Sequence, residues 1–177
     1  MKIKEEYQNL YKNFKLFFEN WVEPDEYNQR YGFFGYKKHQ VQNCLGQGFV
    51  NCWVDKSLTL KNGHLKNQSF DHYTTVPQFA GILIDYGFEN IITHLWDDVD
   101  ISGIFNWQSY AFEYERPKSN SRNRIDNKTK RYQPSYDNLI FICSTKNEKL
   151  IRSYAGDNLV LRRGNQLRRW LDSLNNG

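Results

Sequence analysis

The segment SYAFEYE, residues 109–115, constrains the fold more than any other stretch because its side chains alternate in character. Alternate residues of a β-strand share a face, so the three aromatic residues belong to one side of the strand. Glu113 and Glu115 belong to the other side, about 7 Å apart along the strand. The aromatic side predicts a core face. The glutamates predict an open face, where water or a divalent cation offsets the repulsion of two like charges.

Asp100 lies 13 positions before Glu113, with two predicted strands and a tight turn at Asn106 and Trp107 between them. A hairpin of that length brings Asp100 alongside Glu113. Mg²⁺ and Mn²⁺ prefer carboxylate oxygens, so we predict that Asp100 and Glu113 bind Mg²⁺ (or Mn²⁺). A bound water of lowered pKa can attack a phosphodiester while the metal neutralises charge on the phosphate.

The second half of the chain predicts an α/β domain over residues 71–177, with a mixed sheet between helices. A helix capped at Thr74 or Thr75 ends at Gly87, and a polar basic helix or loop follows the strand at 109–115. The run NLIFICS is typical of a strand buried on both faces. The other predicted elements are strands at 90–96, 99–105 and 158–162 and helices at 146–154 and 165–174.

The first half, residues 1–70, predicts three helices followed by a two-stranded hairpin, which is the order of a winged helix. The third helix, from Tyr36, would then enter a major groove and present Lys37, Lys38 and Gln40 to DNA. The predicted helices are 3–20, 24–31 and the one from Tyr36 to near Gly46 or Gly48, and the predicted strands are 48–54 and 57–61.

Asp100 followed by Glu113-Tyr114-Glu115 resembles the PD-(D/E)xK motif of the restriction-endonuclease-like superfamily. The resemblance covers roughly residues 72–174 and includes the order of elements: a helix, a hairpin bearing the acids, a basic segment, then alternating strands and helices. It implies a metal-dependent endonuclease with Asp100, Glu113 and Glu115 in catalysis. The preceding winged-helix order is also similar to the replication-relaxation proteins of mobile elements.

The chain departs from this motif at two positions. Val99 stands where the motif has Pro, and Glu115 stands where it usually has Lys. Lys118 is the predicted catalytic replacement, and Lys128 or Lys130 from the next element are alternatives. Four other residues are alternative ligands or contacts: Asp97, Asp98, His72 and Gln78.

Positive charge is concentrated after the acidic strand. The chain has a net charge of +4, and residues 118–131 contain six Lys or Arg against one acid. A basic surface of this kind suits phosphate, so DNA is the predicted partner. The predicted DNA contacts here are Arg122, Arg124, Lys128, Lys130 and Arg131.

Two other functions are compatible with the sequence. One is a non-catalytic DNA-binding protein of a plasmid, virus or integrative element. The other is a protein-interaction module, for which Trp107 in its predicted turn is the best exposed candidate. Cys44, Cys52, His64 and His72 fit no standard zinc spacing.

No apolar run is long enough to span a membrane, and the N-terminus lacks the apolar core of a signal peptide. We therefore expect a cytoplasmic protein without a membrane partner. A homodimer is compatible with the sequence, although no dimer seam is recognisable.

Overall fold

Two β-sheets organise the mixed α/β structure of the chain, for which the computed structural model describes residues 1–25, 32–58, 69–94, 99–115 and 122–176. One compact unit contains residues 1–43 and 48–81, and the other contains residues 44–47 and 82–177. The helices and strands in chain order are α1 (Gln8–Phe14), β1 (Leu16–Phe18), β2 (Tyr36–Gln42), β3 (Phe49–Asp55), α2 (Phe70–Asp85), β4 (Glu89–Thr93), β5 (Ile101–Phe105), β6 (Gln108–Glu115), α3 (Arg122–Tyr132), β7 (Asn138–Cys143), α4 (Glu148–Arg152), β8 (Leu159–Arg162) and α5 (Asn165–Leu174).

The first unit contains an antiparallel sheet in the order β1-β3-β2. Strands β2 and β3 pair along their whole length, from Tyr36 opposite Asp55 to Gln42 opposite Phe49. The Asn43 N–H donates to the Gly48 carbonyl at 3.1 Å and closes the turn. The unit therefore includes a hairpin whose first strand is strongly polar.

The prediction of a helix starting at Tyr36 is wrong, because Tyr36–Gln42 forms strand β2. The sequence YKKHQVQ lacks an apolar stripe at helical spacing, so a helix here would have little to bury. Pairing with β3 along its whole length gives this segment backbone hydrogen bonds on one side instead. Lys37, Lys38 and Gln40 are exposed on this strand, and their contact with DNA stays a prediction.

The predicted helix over residues 3–20 is also wrong in its second half. Helix α1 ends at Phe14, because Lys15 adopts a left-handed conformation with φ 51° and its N–H donates to the Tyr11 carbonyl. Leu16–Phe18 then forms β1, with all three side chains buried. Three consecutive apolar residues suit a strand covered on both faces better than one stripe of a helix. Most of the predicted helix at 24–31, and the predicted strand at 57–61 from residue 59, lie outside the described residues.

The second unit contains a five-stranded sheet in the order β4-β5-β6-β7-β8. Strands β4, β5 and β6 are antiparallel neighbours, whereas β6, β7 and β8 run parallel. Strand β6 is therefore the central strand, at the change from antiparallel to parallel pairing. This mixed sheet confirms the predicted α/β class.

Helices cover both faces of this sheet. Helices α3 and α4 connect the parallel strands and supply Ile125, Tyr132 and Ile151 to the core on one face. Helix α5 packs Trp170 against β6 on the other face. The predicted strand at 138–144 is confirmed by β7, Asn138–Cys143, in which five of the six residues are buried. The helix predicted at 165–174 matches α5.

Candidate active site at the end of the central strand

Strand β6 buries its aromatic side as the alternation predicts. Tyr110 and Phe112 contact Phe88, with ring centroids 5.3 and 5.9 Å apart, and Trp170 covers both from α5. The ring of Tyr114, the third aromatic residue of β6, lies 5.0 Å from the Arg163 guanidinium. This aromatic packing holds the opposite side of β6, with its glutamates, in a fixed register.

Glu113 and Glu115 are fully buried, with exposed fractions of 1% and 0%. The predicted open face is therefore wrong. The alternation along β6 assigns its side chains to the correct faces. It does not show that helix α3 covers the face that carries the glutamates. Two ionised carboxylates removed from water require a cation, a proton or both.

Lys128 supplies that cation from α3. Its Nζ donates a hydrogen bond to Glu113 Oε2 and a second one, 2.7 Å long, to Glu115 Oε1. Arg124, one helical turn earlier, lies 4.0 Å from Glu115 Oε2. Lys128 is 17% exposed in its side chain and Arg124 is 39% exposed, so the positive side of the cluster reaches water.

The sequence of α3 accounts for this placement. Ile125, Thr129 and Tyr132 recur at helical spacing and are buried. Arg124 and Lys128 precede the first two by one residue and therefore line one edge of the buried stripe. Burial of the stripe against the sheet carries both cations to the end of β6.

Asp100 lies beside the same cluster, just before β5. Ile101 pairs with Phe112, so the next step along the hairpin brings Asp100 next to Glu113. The Asp100 Oδ2 accepts a 2.7 Å hydrogen bond from the Tyr114 N–H. The prediction that a hairpin brings Asp100 and Glu113 together is confirmed.

Charge and burial shift the pKa of two of these groups. Burial raises the pKa of Glu113 well above its ordinary value, and the Asp100 carboxylate raises it further, against the opposing effect of Lys128. For Lys128, burial lowers the pKa, but the carboxylates of Glu113, Glu115 and Asp100 outweigh burial and raise it above the usual range for lysine. These shifts favour the charged form of Lys128 and the protonated form of Glu113.

One feature of the carboxylate oxygens of Glu113 and Asp100 fits a Mg²⁺ site. Glu113 Oε1 is buried and has no hydrogen-bond partner among the described residues, while its other oxygen accepts from Lys128. A single carboxylate oxygen beside Asp100 is what Mg²⁺ uses when water completes its coordination. Within the ranges that the structure describes, no group of three or more His, Cys, Asp or Glu is arranged to hold a metal.

The other predicted site residues lie elsewhere. Arg122 stacks on Tyr154, Lys130 pairs with Asp126 at 2.7 Å, and Arg131 stacks on Tyr132. His72 and Gln78 belong to the first unit, where Gln78 donates to the Gln42 carbonyl. Cys44, Cys52 and Cys143 are buried free thiols. Three predicted residues, Lys118, Asp97 and Asp98, and His64 of the zinc alternative lie outside the described residues.

The sequence predicted Lys128 as a DNA contact, and for the catalytic lysine it placed Lys128 among the alternatives to Lys118. The pattern that identifies it is its spacing of four from Arg124 and its position one residue before the buried stripe. In α3 this spacing brings both cations to the glutamates of the preceding strand, β6.

Comparisons with protein-family models, curated proteins and solved structures found no match to this chain. In the part of the chain that the structure describes, no helix has the length and apolar character needed to cross a membrane.

Proposed function

We propose that this chain is a metal-dependent nuclease that hydrolyses phosphodiester bonds in DNA. The observation that supports it most is the pair of buried glutamates at the end of β6, joined by Lys128 and flanked by Asp100. Burying two carboxylates against a partly buried lysine is costly for folding, and perturbed groups of this kind concentrate at functional sites.

The order of elements supports the same proposal. Helix α2, the antiparallel strands β4, β5 and β6, helix α3 and the parallel strand β7 follow the order that the resemblance to the restriction-endonuclease-like superfamily implies. Asp100 and Glu113 take the two acidic positions of that motif. Lys128, on α3, takes the part of the lysine that β6 lacks at residue 115.

The side chains of the cluster have distinct roles in this proposal. Asp100 and Glu113 would hold Mg²⁺, which supplies a polarised water and neutralises charge on the phosphate. Lys128 stays protonated, so it donates hydrogen bonds to the attacking water or to a phosphate oxygen and does not accept a proton. Arg124 is half-exposed beside Glu115 and can bind the phosphate on the solvent side.

The test is Mn²⁺ titration by calorimetry together with plasmid nicking. We expect Glu113→Ala to abolish Mn²⁺ binding and nicking, because it removes the buried ligand. Lys128→Met should keep Mn²⁺ binding, because it removes no metal ligand, and should reduce nicking about 100-fold or more in the folded variant, because it removes the donor to the reacting groups. Lys130→Met is the matched control, because that lysine is on the same helix and pairs with Asp126 at the surface. Equal Mn²⁺ uptake by wild type and Glu113→Ala would refute the metal site.

The second candidate function is non-catalytic DNA binding. One observation favours it: Lys128 already satisfies one oxygen of each glutamate, so the cluster is partly neutralised by the protein itself. The exposed cations Arg122, Lys130 and Arg131 of α3 would then contact phosphates. DNA affinity that falls steeply with salt, without nicking in Mg²⁺ or Mn²⁺, would support this function over the nuclease.

Three further predictions stand beside the proposal. The predicted link to mobile elements relied on a winged helix in the first half of the chain. Its recognition helix is replaced by strand β2, so the link stays a prediction without that support. A cytoplasmic location and a homodimer stay predictions from sequence.

A further inference from the structure

A cleft of about 520 Å³ lies within the second unit, where strands β7 and β8 begin. Its lining includes Asn138 and Leu159, the first residues of these two strands. Tyr110 of β6 pairs with Asn138 and also lines the cleft. Glu115 follows five residues later, about 17 Å along the strand. The cleft is therefore a second concave site, away from the cluster of carboxylates around Lys128, and its volume is in the range of small-molecule sites.

Part of the lining is apolar and open to water. Trp170 of α5 and Tyr136 line the cleft with half-buried aromatic rings, and Leu159 is 39% exposed. Tyr110 packs against Trp170, with ring centroids 6.3 Å apart, and so fixes the position of the indole. Aromatic side chains provide flat faces on which a planar ring can stack. This part of the lining favours a planar aromatic ligand.

Two amide side chains provide hydrogen-bonding groups in the same cleft. Asn158 and Gln133 both line it, and Asn158 Nδ2 donates to the Ala155 carbonyl at 2.7 Å and to Gln133 Oε1 at 3.4 Å. These bonds leave Asn158 Oδ1 and Gln133 Nε2 without a partner among the described residues. An acceptor and a donor side by side match the edge of a nucleobase, where donors and acceptors also alternate.

The charge of the lining selects among the bases. Asp137 and Asp157 line the cleft, and none of the described residues that line it is Lys, Arg or His. Asp137 accepts from the N–H and the hydroxyl of Ser109, both at 2.8 Å, whereas Asp157 is exposed and pairs with no described side chain. A carboxylate accepts hydrogen bonds from an amino group and repels carbonyl and phosphate oxygens. Adenine has an amino group and ring-nitrogen acceptors but no carbonyl oxygen.

We propose that this cleft binds adenine, either in a free nucleoside or as an unpaired base of a nucleic-acid strand. The base stacks on Trp170, its amino group donates to Asp157, and a ring nitrogen accepts from Gln133 Nε2. The sugar and any phosphate stay outside, away from the carboxylates. This binding site goes beyond the proposed nuclease and does not depend on it.

The experiment follows the indole N–H signal of Trp170 in nitrogen-15 NMR spectra of the full-length chain during titration with adenosine. Trp170→Phe assigns the signal, and the indole of Trp53 in the first unit is the internal control. Adenosine should shift the Trp170 signal saturably and leave the Trp53 signal in place. Inosine is the matched ligand, because it carries a carbonyl in place of the amino group, and it should bind about 10-fold more weakly.

Two variants test the polar contacts separately. Asp157→Asn and Gln133→Leu should each weaken adenosine binding about 10-fold. Asp157→Asn should also reduce the preference for adenosine over inosine, which a general loosening of the cleft would not do. Asp126→Asn is the matched control, because that exposed carboxylate pairs with Lys130 on α3 and does not line the cleft. Melting temperatures of the Asp157 and Asp126 variants should equal that of wild type.

A single-stranded oligonucleotide of deoxyadenosine separates the two sources of the base. If it shifts the Trp170 signal as adenosine does, the cleft takes an unpaired base of a strand; if adenosine alone shifts it, the ligand is a free nucleoside. The proposal would be overturned by the absence of a saturable shift up to about 10 mM adenosine, by equal affinities for adenosine and inosine, or by unchanged adenosine affinity in Asp157→Asn. Glucose that shifts the Trp170 signal as adenosine does would overturn it too. None of these results depends on DNA cleavage, so failure of the nuclease and failure of the adenine site are distinguishable.

Discussion

Replacing Lys128 with Met tests whether the charge cluster is held together by this one ammonium. The change removes two hydrogen bonds to carboxylates that are 1% and 0% exposed, and it keeps most of the apolar stem. Removing one partner of a buried ion pair costs about 3–5 kcal/mol. Lys128 retains 17% exposure and Arg124 lies 4.0 Å from Glu115, so we expect the lower end, about 3 kcal/mol. For a chain of this length that is a fall in melting temperature of about 6–12 °C.

The assay is urea unfolding followed by far-ultraviolet circular dichroism at pH 5 and pH 8. Lys128 lowers the pKa of Glu113, so its loss lets Glu113 hold a proton at higher pH, and the destabilisation should shrink towards pH 5. Lys130→Met is the control, and its surface pair with Asp126 should contribute no more than about 0.5 kcal/mol. A role for Lys128 in holding the cluster together would be contradicted by a cost below about 1 kcal/mol, by a cost equal to that of Lys130→Met, or by equal costs at both pH values.

Three other substitutions test separate parts of the structure. Burial raises the pKa of Glu113 in the folded chain above its value in the unfolded chain, so the folded chain binds more protons between these two pKa values and its stability falls as pH rises. Glu113→Gln removes this fall. In urea unfolding the variant should therefore be more stable than wild type at pH 8, and the difference should disappear near pH 4. Trp107 is 99% exposed at φ 65°, so Trp107→Gly should raise stability by up to about 1 kcal/mol, and a lower melting temperature would contradict this. A Cβ at Gly81 would lie 2.7 Å from the Trp21 ring, so Gly81→Ala should cost about 1–3 kcal/mol despite the better helix propensity of Ala, and a stabilised variant would contradict the packing.

Local periodicity was sufficient to predict most of the second unit. The alternation in residues 109–115 identifies the aromatic face of β6 because a period of two depends only on neighbouring residues. The apolar run before Ser144 predicts a strand covered on both faces for the same reason. The position of Asp100 beside Glu113 follows from hairpin length alone.

The errors arise where a distant segment decides the structure. YKKHQVQ has no strong preference of its own, and its strand depends on seven residues of β3 that pair with it. Burial of the glutamates depends on α3, which follows β6 in sequence but covers it only in the folded chain. The choice between Lys118, Lys128 and Lys130 likewise required knowing which side of α3 meets the sheet.

The charges of the cluster explain why a helix-borne lysine suits this site. Three carboxylates, Asp100, Glu113 and Glu115, face two cations, Lys128 and Arg124, so full ionisation leaves one negative charge in excess. The raised pKa of Glu113 favours the protonated form of this carboxyl, and a proton on Glu113 offsets that charge when no metal is bound. A divalent cation would have to displace this proton, so its affinity should rise with pH over the range in which Glu113 titrates. A lysine at residue 115 would remove one carboxylate and add a cation, and the cluster would lose the excess negative charge that would attract the proposed metal. Placing the lysine on α3 lets β6 keep both glutamates and still brings an ammonium to the place where a phosphate would react.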